Sequence, residues 1–237
     1  MIRRNRGMKF LGGYYAFPGG KVDPADASPE ALARCRGLDP ATAATLLDAD
    51  GPPALAYWVT AVRELLEESG VLLACDAGGR SVDLARPEVA AAATRCRDAL
   101  MASAAPFTDL LAREGWLYDV RPLRYLSHFV TPRRSPIRFT ARFFLCPLPA
   151  GQAPRLYTEE TSEGFWIAPA EGYRRFQAQE MAMAEPAEYG LGYLAQFDSL
   201  EALWAHHEDR RDKFGGTVHR IDTFWEKFDW KKLRWNQ

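Results

Sequence analysis

The fold is decided by residues 61–73, whose sequence is AVRELLEESGVLL. Glu64, Glu67 and Glu68 stand at positions i, i+3 and i+4, so in a helix their carboxylates share one face. The apolar side chains of this segment and of the turns before it fall on the opposite side: Leu55, Trp58, Val59, Val62, Leu65 and Leu66. Such a pattern predicts an amphipathic helix, which Gly70 ends as a C-terminal cap.

The acidic face of this predicted helix has two interpretations. Three neighbouring carboxylates repel one another unless positive charge neutralises them, and oxygen ligands suit the hard divalent ions Mg²⁺ and Mn²⁺. Alternatively, the face is solvated, and Arg63, one turn before Glu67, eases the repulsion. The helix alone leaves a metal site and an ordinary amphipathic helix both open.

The residues before the helix favour the metal site. The segment FPGGKVDPAD, residues 17–26, contains a Gly-Gly turn, which lets a backbone carbonyl approach a metal or a phosphate closely. Together the two segments resemble the Nudix hydrolase signature. Gly20 and Asp26 match its first part, although Asp26 stands where the family usually has glutamate. The second part is matched by Arg63, Glu64, Leu65, Glu67, Glu68, Gly70 and Val71.

The two parts of the signature lie unusually far apart in this chain. Asp26 and Arg63 are separated by 36 residues where the signature has seven, so residues 27–55 form a 29-residue insertion. One branch of the Nudix superfamily, similar to coenzyme A and acyl-coenzyme A diphosphatases, carries such an insertion at this point of the signature. Within it, Ser28 and Asp39 each precede a proline, as N-caps precede proline at the first helical position. We therefore predict that the insertion is helical. Because both of its ends join the two parts of the signature, we expect it to border the substrate cleft.

The resemblance implies roles for the matching residues. Glu64, Glu67 and Glu68 would ligate Mg²⁺ or Mn²⁺ and carry catalysis, with the Gly20 carbonyl as a further metal ligand. Arg63 would orient these carboxylates. The aspartate that departs from the signature is expected to have a structural or charge-pairing role instead of binding metal.

A predicted hairpin also resembles this branch. Its strands are expected at 122–130 and 137–148, and the segment HFVTPRRSPIRFTARFFLCPLP covers its centre. Thr140 replaces the usual aspartate there, and His128 sits near the usual tryptophan. The candidate substrate-binding residues are Arg133, Arg134 and Arg138, which could hold phosphate groups bidentately. A solvated hairpin tip explains these arginines equally well.

Two further groups of residues have side chains that can act as ligands. Glu159, Glu160 and Glu163 precede Trp166, where related enzymes often place an additional base or ligand, but an acidic loop is the simpler interpretation. The histidines near the end of the chain have no ligand-like partner in the sequence, so we expect no metal binding by them: His206, His207 and His219.

The composition restricts the partners and the compartment. The 30 basic and 31 acidic side chains leave a net charge of −1, so no global field recruits nucleic acid or an anionic membrane. No apolar stretch has the length of a signal peptide or of a membrane span. The four cysteines are isolated in the sequence, which argues against a disulfide framework or a zinc site. We expect a cytoplasmic protein that binds neither nucleic acid nor membrane.

The remaining pattern predicts an α+β fold, specifically a Nudix-type α/β/α sandwich with a mixed β-sheet. Further helices are predicted at 86–104, 106–114, 169–181, 186–197 and 199–212, and a short strand at 163–168. We assign residues 1–212 to the Nudix domain and residues 213–237 to an aromatic tail outside the resemblance.

The two ends of the chain suggest how it could form an oligomer. The family normally has a strand before the segment equivalent to IRRNRG, which the sequence does not show, so we expect either a sheet completed differently or a truncated start. A missing strand can leave an exposed sheet edge, which proteins normally cover or pair. The tail is dense in large aromatic residues, which seldom stay solvated: Phe224, Trp225, Phe228, Trp230 and Trp235. Docking on its own domain is one possibility, and a homodimer contact is the other.

The function implied by the resemblance is metal-dependent hydrolysis of a diphosphate. The preferred substrate is coenzyme A or acyl-coenzyme A, split into 3′,5′-ADP and a 4′-phosphopantetheine product. Two alternatives stay open. One is hydrolysis of another nucleoside diphosphate derivative, and the other is a nucleotide-sensing module that keeps the fold without turnover.

Overall fold

The computed structural model describes residues 1–8, 11–47, 51–130, 140–155 and 161–213, with side chains as far as His206. The strands are β1 (Ile2–Arg4), β2 (Tyr15–Ala16), β3 (Cys35–Arg36), β4 (Ala74–Cys75), β5 (Leu117–Asp119), β6 (Arg124–Val130), β7 (Thr140–Leu145) and β8 (Thr161–Gly164). The helices are α1 (Pro29–Ala33), α2 (Pro40–Leu46), α3 (Ala56–Ser69), α4 (Pro87–Met101), α5 (Phe107–Arg113), α6 (Pro169–Gln177), α7 (Glu185–Leu194) and α8 (Leu200–Lys213). A short 3₁₀ helix, Pro24–Ala27, precedes α1.

The predicted helix caps are present. Ser28 Oγ accepts the Ala31 N–H at 3.2 Å and begins α1, and Asp39 Oδ1 accepts the Thr42 N–H at 2.9 Å and begins α2. Gly70 ends α3 in the left-handed conformation, with φ 69°. The helical content predicted for the insertion is therefore confirmed, whereas its position beside the substrate stays a prediction.

One compact unit comprises residues 18–126 and 143–158, and we call it the signature unit. In it β5 pairs in parallel with β3 and antiparallel with β4, which makes a mixed three-stranded sheet. The core of this unit consists of apolar side chains from α3 and from the elements around it, which include Leu55, Val59, Val62, Leu66, Leu72, Leu111 and Tyr118. Each fully buried side chain of this size contributes about 1.5–3 kcal/mol to folding.

A second compact unit comprises the described residues of 1–17, 127–142 and 159–213, and we call it the terminal unit. Its antiparallel sheet has the order β2-β1-β8, so Ile2–Arg4 forms the central strand. That strand was not predicted, and the strand expected at 163–168 lies at Thr161–Gly164. Helices α6, α7 and α8 occupy three of the predicted helical segments.

The predicted hairpin is present, because β6 and β7 pair in a two-stranded sheet. His128 Nε2 and Thr140 Oγ1 are 2.6 Å apart across it. Helices together with short strands confirm the α+β class. Among the helices in the described part of the chain, none combines the length and apolar character that a bilayer crossing requires. The aromatic residues of the tail lie outside the described residues.

Candidate metal centre on helix α3

The acidic face of α3 is largely buried. The side chains of Glu64 and Glu67 are 12% and 19% exposed, and Glu68 is 7% exposed as a residue. Carboxylates are almost never buried unless they are paired. The burial therefore argues against the solvated acidic face and requires neutralising partners.

Arg63 provides the positive charge at the centre of this face. Its Nε–H donates to Asp26 at 3.0 Å, and Nη2 donates to Asp26 at 2.9 Å and to the Lys21 carbonyl at 2.8 Å. Its Nη1 donates to Glu64 Oε1 and to Glu67 Oε2, both at 2.9 Å. All five N–H groups of the guanidinium thus have acceptors, which fixes the orientation of Arg63.

Asp26 has the charge-pairing geometry that its departure from the signature suggested. It is 2% exposed and accepts hydrogen bonds from Arg63 and, at 2.8 Å, from the Thr60 hydroxyl. The Asp23 N–H donates to Asp26 Oδ2 at 3.0 Å and completes a capping box around the 3₁₀ helix. Through these hydrogen bonds Asp26 attaches the start of the insertion to α3.

The Gly-Gly turn lies against the acidic face. The Gly19 N–H donates to Glu68 Oε2 at 2.7 Å. A methyl group at Gly20 would overlap the Glu64 carboxylate, at 2.6 Å from Cδ and 2.7 Å from Oε2. An alanine at this position would therefore force the Glu64 carboxylate to shift.

The cluster carries more negative than positive charge. Burial raises the pKa of Glu64 to about 7, Arg63 opposes this rise, and Glu67 adds to it by repulsion. Burial alone would lower the pKa of Arg63, but its hydrogen bonds and charge interactions with Asp26 and the glutamates raise it instead. A further cation would stabilise the ionised form of Glu64.

These residues fit a hard divalent cation by donor type, by charge and by the space left at Gly20. As they stand, no three acidic, histidine or cysteine side chains converge on a possible ion position anywhere in the described residues. Glu64 and Glu67 are turned towards Arg63, and Glu68 is turned towards Gly19. Ligation by Glu64, Glu67, Glu68 and the Gly20 carbonyl therefore remains a prediction.

The other predicted candidates lie elsewhere. The structure places Glu163 on β8, where Arg3 Nη1 at 3.3 Å and the Tyr15 hydroxyl at 3.4 Å donate to it. His206 packs against the ring of Phe197, with the centroids 5.2 Å apart. The remaining candidates lie outside the described residues or side chains: Arg133, Arg134, Arg138, Glu159, Glu160, His207 and His219.

One buried residue that contacts the backbone of α3 was not predicted from the sequence. Arg97, on α4, is 6% exposed and donates from Nε and Nη2 to the Glu67 carbonyl at 3.1 and 2.8 Å. A signal was available, because Arg97 shares a helical face with the buried Ala93 at i−4. An arginine among alanines on a packed face indicates a buried partner.

Comparisons with known proteins agree with the signature. A sequence profile of the family described as the NUDT19 Nudix domain matches residues 1–194. A crystal structure of a NUDIX hydrolase from Alicyclobacillus acidocaldarius is similar to this chain, with a TM-score of 0.66 and 34% sequence identity over 84% of each chain. The α+β architecture is therefore that of a Nudix fold.

Two curated relatives share the name acyl-coenzyme A diphosphatase NUDT19. The protein from Gallus gallus is 29% identical over 88% of this chain and 64% of its own length, and that from Homo sapiens is 29% identical over 86% and 62%. A putative nudix hydrolase 7 from Caenorhabditis elegans is 29% identical over 83% of this chain and 55% of its own length. The chain thus spans less than two thirds of each of these three relatives.

Proposed function

The chain belongs to the Nudix hydrolase family, in the branch of the NUDT19 Nudix domain, and from this premise we propose that it is a metal-dependent diphosphatase of acyl-coenzyme A or coenzyme A. The products would be 3′,5′-ADP and a 4′-phosphopantetheine product, acylated when the substrate is acylated. The names of the Gallus gallus and Homo sapiens relatives support this substrate class.

The observation that carries the proposal is the buried acidic face of α3, ordered around Arg63 and closed by the Gly-Gly turn. Burying such a cluster costs solvation free energy, because its negative charges outnumber the positive ones. A bound cation would offset this cost by neutralising the excess negative charge. A helix with a purely structural role would carry apolar side chains at the buried positions and would leave its acidic side chains in solvent.

The residues of the chain would act in distinct ways. A bound divalent ion would neutralise the diphosphate and activate the attacking water. Glu64, Glu67 and Glu68 would hold that ion, with Gly20 leaving the space that its backbone carbonyl needs. Arg63 keeps the first two carboxylates in place through its two Nη1 hydrogen bonds. One carboxylate would accept the proton of the water as it adds to phosphorus and the diphosphate P–O bond breaks.

Nudix hydrolases generally use divalent metal ions, and for this chain we propose Mg²⁺ or Mn²⁺. Carboxylate and carbonyl oxygens suit these hard ions better than softer metals. The proposed substrates are small nucleoside diphosphate derivatives, and neither nucleic acid nor a membrane is a proposed partner.

A substrate screen tests the function. The purified protein is incubated with coenzyme A, a short-chain and a long-chain acyl-coenzyme A, a nucleotide sugar and a dinucleoside diphosphate, each with Mg²⁺, Mn²⁺ or EDTA. Products are resolved by chromatography. Metal-dependent release of 3′,5′-ADP supports the proposal. Turnover of the other diphosphates alone would assign a different substrate, and the absence of turnover with every compound and metal would reject a diphosphatase and favour a sensing module.

Replacing Gly20 by alanine should lower the metal-dependent rate by about 10- to 100-fold, because the added methyl group displaces the Glu64 carboxylate. The rate and the half-saturating Mg²⁺ concentration are measured with the substrate found in the screen. The matched control is Gly7→Ala, whose new Cβ meets Asn5 Oδ1 at an ordinary 3.8 Å. Equal effects of the two substitutions would reject a special role for Gly20.

We also propose a homodimer to which the aromatic tail contributes, and a cytoplasmic location. Three tryptophans in the last 13 residues support the first, and four free cysteines support a reducing compartment. Light scattering on the full chain and on a chain ending at Arg211 should show a dimer and a monomer, respectively. A monomeric full chain at micromolar concentration rejects the dimer, and a dimer that survives truncation rejects the role of the tail.

A further inference from the structure

Arg97 is a buried charge that belongs to none of the roles described so far. It lies on α4, is 6% exposed and directs two donors at one backbone oxygen, the carbonyl of Glu67. Its Nη1 is also 3.7 Å from Asp98 Oδ1. Because arginine stays charged in proteins, burying it here costs solvation that these partners must offset.

The carbonyl that Arg97 holds is one of the last four of α3, which a helix cannot satisfy internally. Gly70 N–H donates to the Leu66 carbonyl at 2.9 Å, and Arg155 N–H donates to the Ser69 carbonyl at 2.8 Å. Val71 N–H, which would reach Glu67 if the helix continued, is directed to Ser69 Oγ at 3.4 Å. Arg97 therefore acts as the C-terminal cap for the Glu67 carbonyl, supplied by another helix.

The capped turn carries two of the predicted metal ligands. Glu67 and Glu68 project from the backbone that Arg97 holds, so the position of that backbone determines where their carboxylates can meet an ion. The charge also lies at the C-terminal end of α3, where a cation interacts favourably with the helix dipole. A charge-assisted hydrogen bond holds the carbonyl more tightly than a neutral donor would.

We propose that Arg97 is a positioning residue for the divalent cation: through the Glu67 carbonyl it fixes the last turn of α3 and thereby the carboxylates of Glu67 and Glu68. This inference rests on the proposed function, since it assumes that these glutamates bind the ion. It differs from a simple packing role, because an apolar side chain of similar length would fill the same volume without holding the carbonyl.

The test compares Arg97→Met, Arg97→Lys and the matched control Arg95→Met. Arg95 is on the same helix, but its side chain is 65% exposed and pairs with Glu114 at 3.5 Å. Mn²⁺ binding is measured by electron paramagnetic resonance without substrate, and amide hydrogen exchange of residues 66–71 is measured without metal. Thermal unfolding establishes that each variant is folded.

We expect Arg97→Met to weaken Mn²⁺ binding by about 10-fold or more and to accelerate exchange at the end of α3. Arg97→Lys, which keeps a charged donor, should recover part of both, and Arg95→Met should match the wild type. In turnover, the half-saturating metal concentration should rise by more than the maximal rate falls.

Two results would overturn the inference. One is unchanged Mn²⁺ affinity in a folded Arg97→Met protein, and the other is a loss that Arg97→Lys and Arg95→Met share equally. Failure of the proposed function has a different signature, because the wild-type protein itself would then bind no Mn²⁺ or would release no product from any diphosphate.

Discussion

Replacement of Glu67 or Glu68 by glutamine is expected to reduce metal-dependent turnover by at least about 100-fold while the protein stays folded. Each substitution removes one negative charge from the predicted ligand set and leaves the shape of the side chain nearly unchanged. The protein should stay folded because the amide oxygen of the new glutamine can still accept the hydrogen bond from Arg63 or from the Gly19 N–H. Initial rates over a range of Mg²⁺ concentrations and circular dichroism measure the two effects.

The matched control for these variants is Glu88→Gln. Glu88 is on α4, and its side chain is 63% exposed and pairs with Arg86. It should keep wild-type turnover. If the two α3 variants also turn over at the wild-type rate, the assignment of the metal centre to this helix is wrong.

Replacement of Asp26 by alanine is expected to destabilise the protein by about 3–5 kcal/mol, because it leaves the buried Arg63 without its main counter-charge. It also removes the acceptor of the Asp23 N–H and one of the two acceptors of the Thr60 hydroxyl, the other being the Ala56 carbonyl at 2.9 Å. The free energy of unfolding is measured by urea denaturation, followed by fluorescence and by circular dichroism.

Asp39→Ala is the matched control for this loss. Asp39 begins α2 and is exposed, so its removal should cost only the hydrogen bond of an N-cap, which is much less than the loss of a buried ion pair. A loss for Asp26→Ala no larger than that for Asp39→Ala would show that the buried ion pair contributes little. Asp26→Asn should fall between the two, since the amide keeps an acceptor but not the charge.

The helices α1, α2 and α3 of the signature unit could be predicted because their sequence signals are local. Ser28, Asp39 and Gly70 act within one turn of their own positions, and the i, i+3, i+4 spacing of the glutamates is a property of a single helix. The caps and the end of α3 therefore agree with the structure to within a residue or two.

The short strands could not be predicted in the same way. Ile2–Arg4, Cys35–Arg36 and Ala74–Cys75 are too short to show an alternating pattern. Each is a strand only because another segment pairs with it, as Leu117–Asp119 pairs with the last two. Pairing between distant segments is a property of the folded chain.

The sequence by itself determined which side chains form the candidate centre, because the chemistry of three glutamates, an arginine and a Gly-Gly turn depends on residue type and local spacing. Only the tertiary structure decided how deeply those side chains are buried and which charged partners they contact. Asp26 and Arg97 reach α3 from 37 and 30 positions away in the chain, and burial together with these partners sets the charge and orientation of each group. Solvation and electrostatic energies depend on everything packed around a group, so they are defined only once the chain has folded.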